Sequence, residues 1–195
     1  FGLTAIVFSE LVHGLKHVFA RAVVWPPLRP FLGGVAVVAL TYAVGTRDYL
    51  GLSIPLITES FDPVVTVALF AFAWKLLFTV ITLGAGFQGG EVTPLFVIGA
   101  TLGASLGHAL DAPVPLFAAM GFVAVFAGAT NTPIACTVMG VELFGAASIV
   151  PIAIACIASY TFSARRGLSS SQRLDATTLG QVSAQRRPWL PSREP

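Results

Sequence analysis

"GAGFQGGEVTPLFVIGA", Gly84–Ala100, is the stretch on which the reading of this chain turns. Four glycines fall within seven residues, the carboxylate of Glu91 follows at once, and Thr93-Pro94 leads back into apolar sequence. A helix start leaves backbone N–H groups without intrahelical acceptors and carries partial positive charge. Glycines ahead of it let the chain turn sharply and approach a ligand closely. Pro94 suits a first helical turn, where no N–H bond is required, and Thr93 adds a hydroxyl. The pattern predicts a helix from Glu91 to Ala109 whose start holds an anion without a full positive charge. Glu91 itself has three readings. It stabilises the helix dipole, it is protonated and donates a hydrogen bond to the anion, or it takes up and releases protons coupled to ion movement. A role in function is preferred over the first; the other two stay open.

The setting of this stretch is apolar. Of 195 residues, 55% are hydrophobic and 10% charged, against about 25% charged in ordinary soluble domains. So little charge cannot cover a water-facing surface, and mean hydropathy is strongly positive. The expectation is an all-α integral membrane protein. Residues 1–163 carry five Lys/Arg and seven Asp/Glu, a balance of −2; residues 164–195 carry six Arg and two acids, a balance of +4. The basic 164–195 segment is expected to be a flexible cytoplasmic tail. It has no folded basic surface, so no nucleic-acid partner is expected. Cys136 and Cys156 lie in apolar runs and are read as small buried hydrophobes. The chain opens at Phe1 inside a helical pattern and shows no signal-peptide pattern, as a piece of a longer protein would.

Around the glycine-rich break, the apolar segments are short and interrupted. Phe1–Arg21 reads as an amphipathic helix with Phe8, Leu11, Val12, Leu15 and Phe19 on one stripe. Glu10, His13 and His17 share the other side; a metal site is conceivable from the spacing, but a solvated face is the preferred reading and no metal is expected. Trp25-Pro26-Pro27 and Pro30 end that helix. Leu32–Val44 is apolar but too short to span alone. Arg47–Pro63 reads as a polar connection. Val64–Leu83 is long enough to cross the bilayer, with Lys75 near its middle. A lysine there costs about 2.5–3.5 kcal/mol to insert, so it should face protein or water. Gly99, Gly103 and Gly107 form a small-residue ridge for close helix packing. His108 beside Asp111 reads as a cap at a helix end. Further helices are expected from Leu116, from Asn131-Thr132-Pro133 and from Val150, with a turn at Gly145–Ser148. Broken backbone at membrane depth survives where it is buried in protein or lines a cavity, and such interruptions point to a transporter's site. The glycine loop lacks the Gly-Lys-Ser/Thr ending of a phosphate-binding loop. No nucleophile–base set appears, so neither an enzyme nor a cofactor is expected.

The same residues carry a family resemblance. "GFQGGEVTPLFVIGATLGASLG" resembles the third anion-pore motif of the CLC chloride channel and antiporter family, with Gly89, Gly90 and Pro94 on its pattern. "WKLLFTVITLGAG" resembles the preceding family helix, with Lys75 at its basic position. "AGATNTPIACTVMGVELFG" resembles the later helix pair, with Glu142 at its acidic position. The resemblance runs from about Phe1 to about Gln172. It implies the second inverted repeat of the CLC-type fold, built of broken and tilted helices over residues 1–163. It also implies transport of chloride or fluoride across the cell membrane, by a channel or a proton-coupled antiporter acting as a homodimer. Where many members have an Ile-Phe pair, this chain has Glu91-Val92. Glu91-Val92-Thr93 looks more like the fluoride/proton antiporter branch, in which this Glu and Thr handle fluoride and protons. By that resemblance the anion site comprises Gly89, Gly90, Glu91, Val92 (through its amide) and Thr93, with Lys75, Asn131 and Ser169 nearby. Two departures stand out. The family's first two pore motifs belong to the half preceding Phe1. Ser169 aligns where a pore tyrosine is usual, and Tyr160 lies too early to replace it. The rival expectation is a membrane-inserted half-protein that does not transport.

Overall fold

The chain is described by a computed structural model covering residues 1–23, 25, 27–64 and 67–163. Eight α-helices follow one another among the described residues: α1 (Gly2–Ala22), α2 (Leu28–Val44), α3 (Ile54–Ser60), α4 (Ala71–Gly84), α5 (Val92–Ala109), α6 (Val114–Thr130), α7 (Pro133–Phe144) and α8 (Ile149–Ser163). A single 3₁₀ turn, Ala146–Ser148, joins α7 to α8. No strand occurs among the described residues. Among the described residues, only α1, α5 and the joined Ala146–Ser163 segment are both long and apolar enough to cross a membrane; α2, α4, α6 and α7 are apolar but shorter.

The breaks have local causes. Pro55 lies in the first turn of α3 and Pro133 opens α7; a proline fits there because its missing N–H has no intrahelical acceptor to lose. Asn131 closes α6 in the left-handed conformation, at φ 58°, a geometry that asparagine tolerates better than most residues. Gly45 closes α2 the same way, at φ 78°, and its N–H bonds to the Thr41 carbonyl.

Two expectations are corrected here. The Val64–Leu83 run does not form one spanning helix: α4 begins at Ala71 and has 14 residues, about 21 Å at 1.5 Å per residue. Before it, the Leu69 carbonyl accepts a bond from the Ser105 hydroxyl of α5, which ties the incoming chain to another helix. The Arg47–Pro63 connection is not irregular throughout, since α3 lies within it. The Ser53-Ile54-Pro55 start was its sequence signal, masked by the surrounding polar residues.

The helices pack where small residues remove the obstruction. α5 lies on α6 with backbone touching backbone. A Cβ added at Gly99 would collide with the Gly121 carbonyl, and one at Gly103 with the Phe117 carbonyl. At Gly107 it would come within 3.0 Å of the Val114 Cα. The expected ridge therefore has a partner, the Val114–Gly121 face of α6. Dispersion between close-packed backbones, rather than expulsion from water, favours such a contact in lipid, because lipid tails are as apolar as the side chains. Phe96 of α5 and Phe122 of α6 stack at 4.2 Å between ring centres, and Phe144 of α7 meets Phe122 edge-on at 5.5 Å.

A second core joins α1, α4, α5 and α6 through Phe8, Val12, Leu83, Leu95, Ile98 and Val125. On α1, Phe8 and Val12 are buried as the apolar stripe predicts, but Leu11 is 45% exposed. Leu3, Val7 and Val18 of α1 are exposed as well, so this helix is apolar on its outer side too. The outer faces of α7 and α8 repeat this with Ile134, Val138, Ile154 and Ile157. Cys136 and Cys156 are free and buried, as expected of small hydrophobes.

Candidate functional site

The candidate site is the turn between α4 and α5. Its four glycines have different reasons to be there. Gly84 ends α4 against α1: a Cβ would lie 2.7 Å from Leu15 Cγ. Gly86 turns the chain at φ 91°, a conformation that side-chain-bearing residues avoid, and its N–H bonds to the Leu83 carbonyl. Gly89 and Gly90 differ from both. Neither has a positive φ, and a Cβ added at either meets nothing within 4 Å. The fold thus needs Gly84 and Gly86, whereas Gly89 and Gly90 keep the backbone bare where nothing within the chain demands it.

α5 starts one residue later than expected, at Val92, with Glu91 as its N-cap. The Glu91 side chain makes no capping hydrogen bond. Its Oε1 instead lies 3.8 Å from the Lys16 Nζ of α1, the two side chains being 32% and 48% exposed. Simple capping is therefore not what Glu91 does here. The N–H groups of Val92 and Thr93 stand in the first turn, without intrahelical acceptors, and Pro94 has none to offer. The Thr93 hydroxyl has no hydrogen-bond partner among the described residues. By contrast, those of Thr79, Thr82, Thr101 and Thr130 bond back to the carbonyl four residues earlier.

Lys75 faces protein, as its position in an apolar helix requires. It is 2% exposed. Its Nζ donates to the Tyr49 carbonyl (3.1 Å), the Gly51 carbonyl (2.7 Å) and the Ser53 hydroxyl (2.8 Å). An ammonium has three N–H bonds, and these three contacts use them all. Lys75 has no donor left for an ion. It fastens the α2–α3 loop to α4, including Ser53 at φ 54° and Gly51 at φ 60°.

A pocket of about 240 Å³ connects these parts; its wall includes Lys75, Gly51, Thr79, Gly89, Gly90 and Pro94. The structure thus brings Lys75, Gly89 and Gly90 to one cavity. Glu91, Val92 and Thr93 adjoin it in sequence but do not line it, and Val92 is 45% exposed. Asn131 lies elsewhere, at the α6–α7 junction, where its side-chain amide is buried without a hydrogen-bond partner. Ser169 and the 164–195 tail lie outside the described residues. Among the described residues, no cluster of three or more His, Cys, Asp or Glu forms a metal site; the His13 Nδ1 is 2.8 Å from the Ser9 carbonyl of its own helix. Sequence reasoning missed Lys16. Its only signal was a basic residue on the helix that packs against the break.

Residues 1–164 match the family described as voltage gated chloride channel. The chain belongs to the CLC family of voltage-gated chloride channels. Among CLC relatives, a protein of Pseudomonas syringae pv. tomato named chloride/fluoride channel protein is 47% identical over 181 residues, covering 89% of this chain and 39% of the relative. An H(+)/Cl(−) exchange transporter of Cronobacter sakazakii is 29% identical over 171 residues, covering 80% of this chain and 36% of the relative. The crystal structure of a CLC-type fluoride/proton antiporter superposes with a TM-score of 0.82 at 34% identity, over 86% of this chain and 42% of that one. The chain therefore spans about two-fifths of the length of the relatives it matches. A CLC chain with this all-helical, apolar fold is a membrane protein, and the relatives reported are channels or transporters.

Proposed function

We propose that this chain supplies one half of a transport pathway for a small inorganic anion, fluoride or chloride, as the C-terminal part of a longer CLC protein. The anion sits at the start of α5, against the amides of Gly90 to Thr93 and the Thr93 hydroxyl. The observation that carries the reading is the unspent state of that helix start: its N-cap carboxylate turns aside, and the Thr93 hydroxyl has no partner among the described residues. Helix ends of this kind attract anions without a full counter-charge, which lets the ion leave again. Fluoride appears in the names of both the 47% identical chloride/fluoride channel protein and the superposed antiporter, and a coupled proton in that of the antiporter, which supports this reading. Glu91, the ionisable group beside that helix start, is the proton-handling residue, which favours an antiporter. The protein works as a homodimer in the cell membrane, with the 164–195 tail in the cytoplasm.

The test is efflux from liposomes containing the full-length protein to which this chain belongs. Fluoride or chloride should leave the vesicles with opposing proton movement. Glu91→Gln should abolish the proton movement. Wild-type vesicles that retain both anions would refute the transport reading. Unchanged proton coupling in Glu91→Gln would remove Glu91 from the mechanism.

A further inference from the structure

The ion pair at the start of α5 is built by packing from a distant part of the chain. Leu15 of α1 seats directly on Gly84, where α4 ends. One and two turns earlier, Val12 and Phe8 are buried against Leu83, Leu95 and Ile98. These contacts fix α1 across both sides of the glycine turn, so the next residue, Lys16, arrives beside Glu91. A carboxylate at a helix start is drawn to the partial positive charge of the free N–H groups there, and those are the groups the anion needs. In this structure the Glu91 carboxylate makes no such bond and lies 3.8 Å from the Lys16 ammonium instead.

We propose that Lys16 is a positioning residue for the anion site: it holds the Glu91 carboxylate to the α1 side and leaves the helix start to the anion. This rests on the functional reading above. Lys16 touches neither ion nor helix end in this arrangement; it acts through Glu91. The pair is half-exposed, so its effect is modest, in the range measured for exposed ion pairs.

The experiment is a titration of sodium fluoride into the full-length protein in detergent, followed by calorimetry, for wild type, Lys16→Met, Lys16→Arg, Glu91→Gln and Lys16→Met with Glu91→Gln. Thermal midpoints of the same samples report folding. Lys16→Met should weaken fluoride binding about two- to fivefold, and Lys16→Arg should restore it. Adding Lys16→Met to Glu91→Gln should change fluoride binding no further than Glu91→Gln alone does. The same weakening in the Glu91→Gln background would mean that Lys16 acts by its own charge or through folding, which overturns the proposal. So would wild-type affinity in Lys16→Met. Each of those results leaves anion binding by the wild type standing. A wild type that binds neither fluoride nor chloride overturns the functional reading and this inference together.

Discussion

Replacing Lys75 with Met removes the ammonium and keeps a stem of similar bulk. Three hydrogen bonds to Tyr49, Gly51 and Ser53 are lost. A bond from a charged donor contributes about 1.5–3 kcal/mol, so the three together contribute roughly 4.5–9 kcal/mol. Against this stands the desolvation of a buried ion, still several kcal/mol after relaxation. The balance leaves the α2–α3 loop less stable by about 2–4 kcal/mol, counting the carbonyls left unpaired. With a factor of ten for each 1.4 kcal/mol, local opening becomes about 30- to 700-fold more frequent. Hydrogen exchange of the full-length protein reads this directly. The Leu50 amide, bonded to the Arg47 carbonyl, and the Ile57 amide, bonded to the Ser53 carbonyl, should exchange faster by that factor. Amides of α5 along the α6 contact should not change. Unaltered exchange at Leu50 in Lys75→Met would refute the account of Lys75 as the fastener of this loop.

Two other substitutions separate fold from site. Gly90→Ala places a methyl where nothing in the chain approaches within 4 Å. Its stability should match wild type to within about 0.5 kcal/mol, seen as an unshifted thermal midpoint, while fluoride affinity in the same titration should fall about tenfold, the equivalent of ~1.4 kcal/mol. Gly103→Leu drives a side chain into the Phe117 backbone and should cost about 3 kcal/mol, seen as a lowered midpoint and loss of a single peak on size exclusion. Gly14→Ala on α1, which meets no neighbour, serves as its control and should not destabilise.

What the sequence made legible was whatever is encoded over a few residues. The helix after Glu91, the ridge Gly99-Gly103-Gly107 and the start at Pro133 each rest on spacings of three or four residues, and the structure has all of them. The family resemblance followed from three short stretches, each contiguous in sequence. What escaped was encoded in tertiary contacts. The late start of α4 in the Val64–Leu83 run goes with a tie from Leu69 to Ser105, 36 residues away. The burial of Lys75 was foreseeable, but its partners lie 22 to 26 residues earlier in a loop whose path no periodicity reveals. The four glycines looked alike in sequence. Only packing against Leu15 and the φ of Gly86 separate the two that shape the turn from the two that leave it bare. Lys16 escaped for the same reason, since 75 positions of chain separate it from Glu91.

The interlock of α5 and α6 bears on what moves during transport. Sliding or tilting either helix along the other would force the Gly99 and Gly121 backbones through each other. The two therefore behave as a single strut, and the start of α5 is a fixed post rather than a gate. Freedom to open and close a path belongs to the part held by a side-chain tip, the α2–α3 loop pinned by Lys75. On the proposed function, a transport cycle leaves the anion's seat still and shifts the pieces around it.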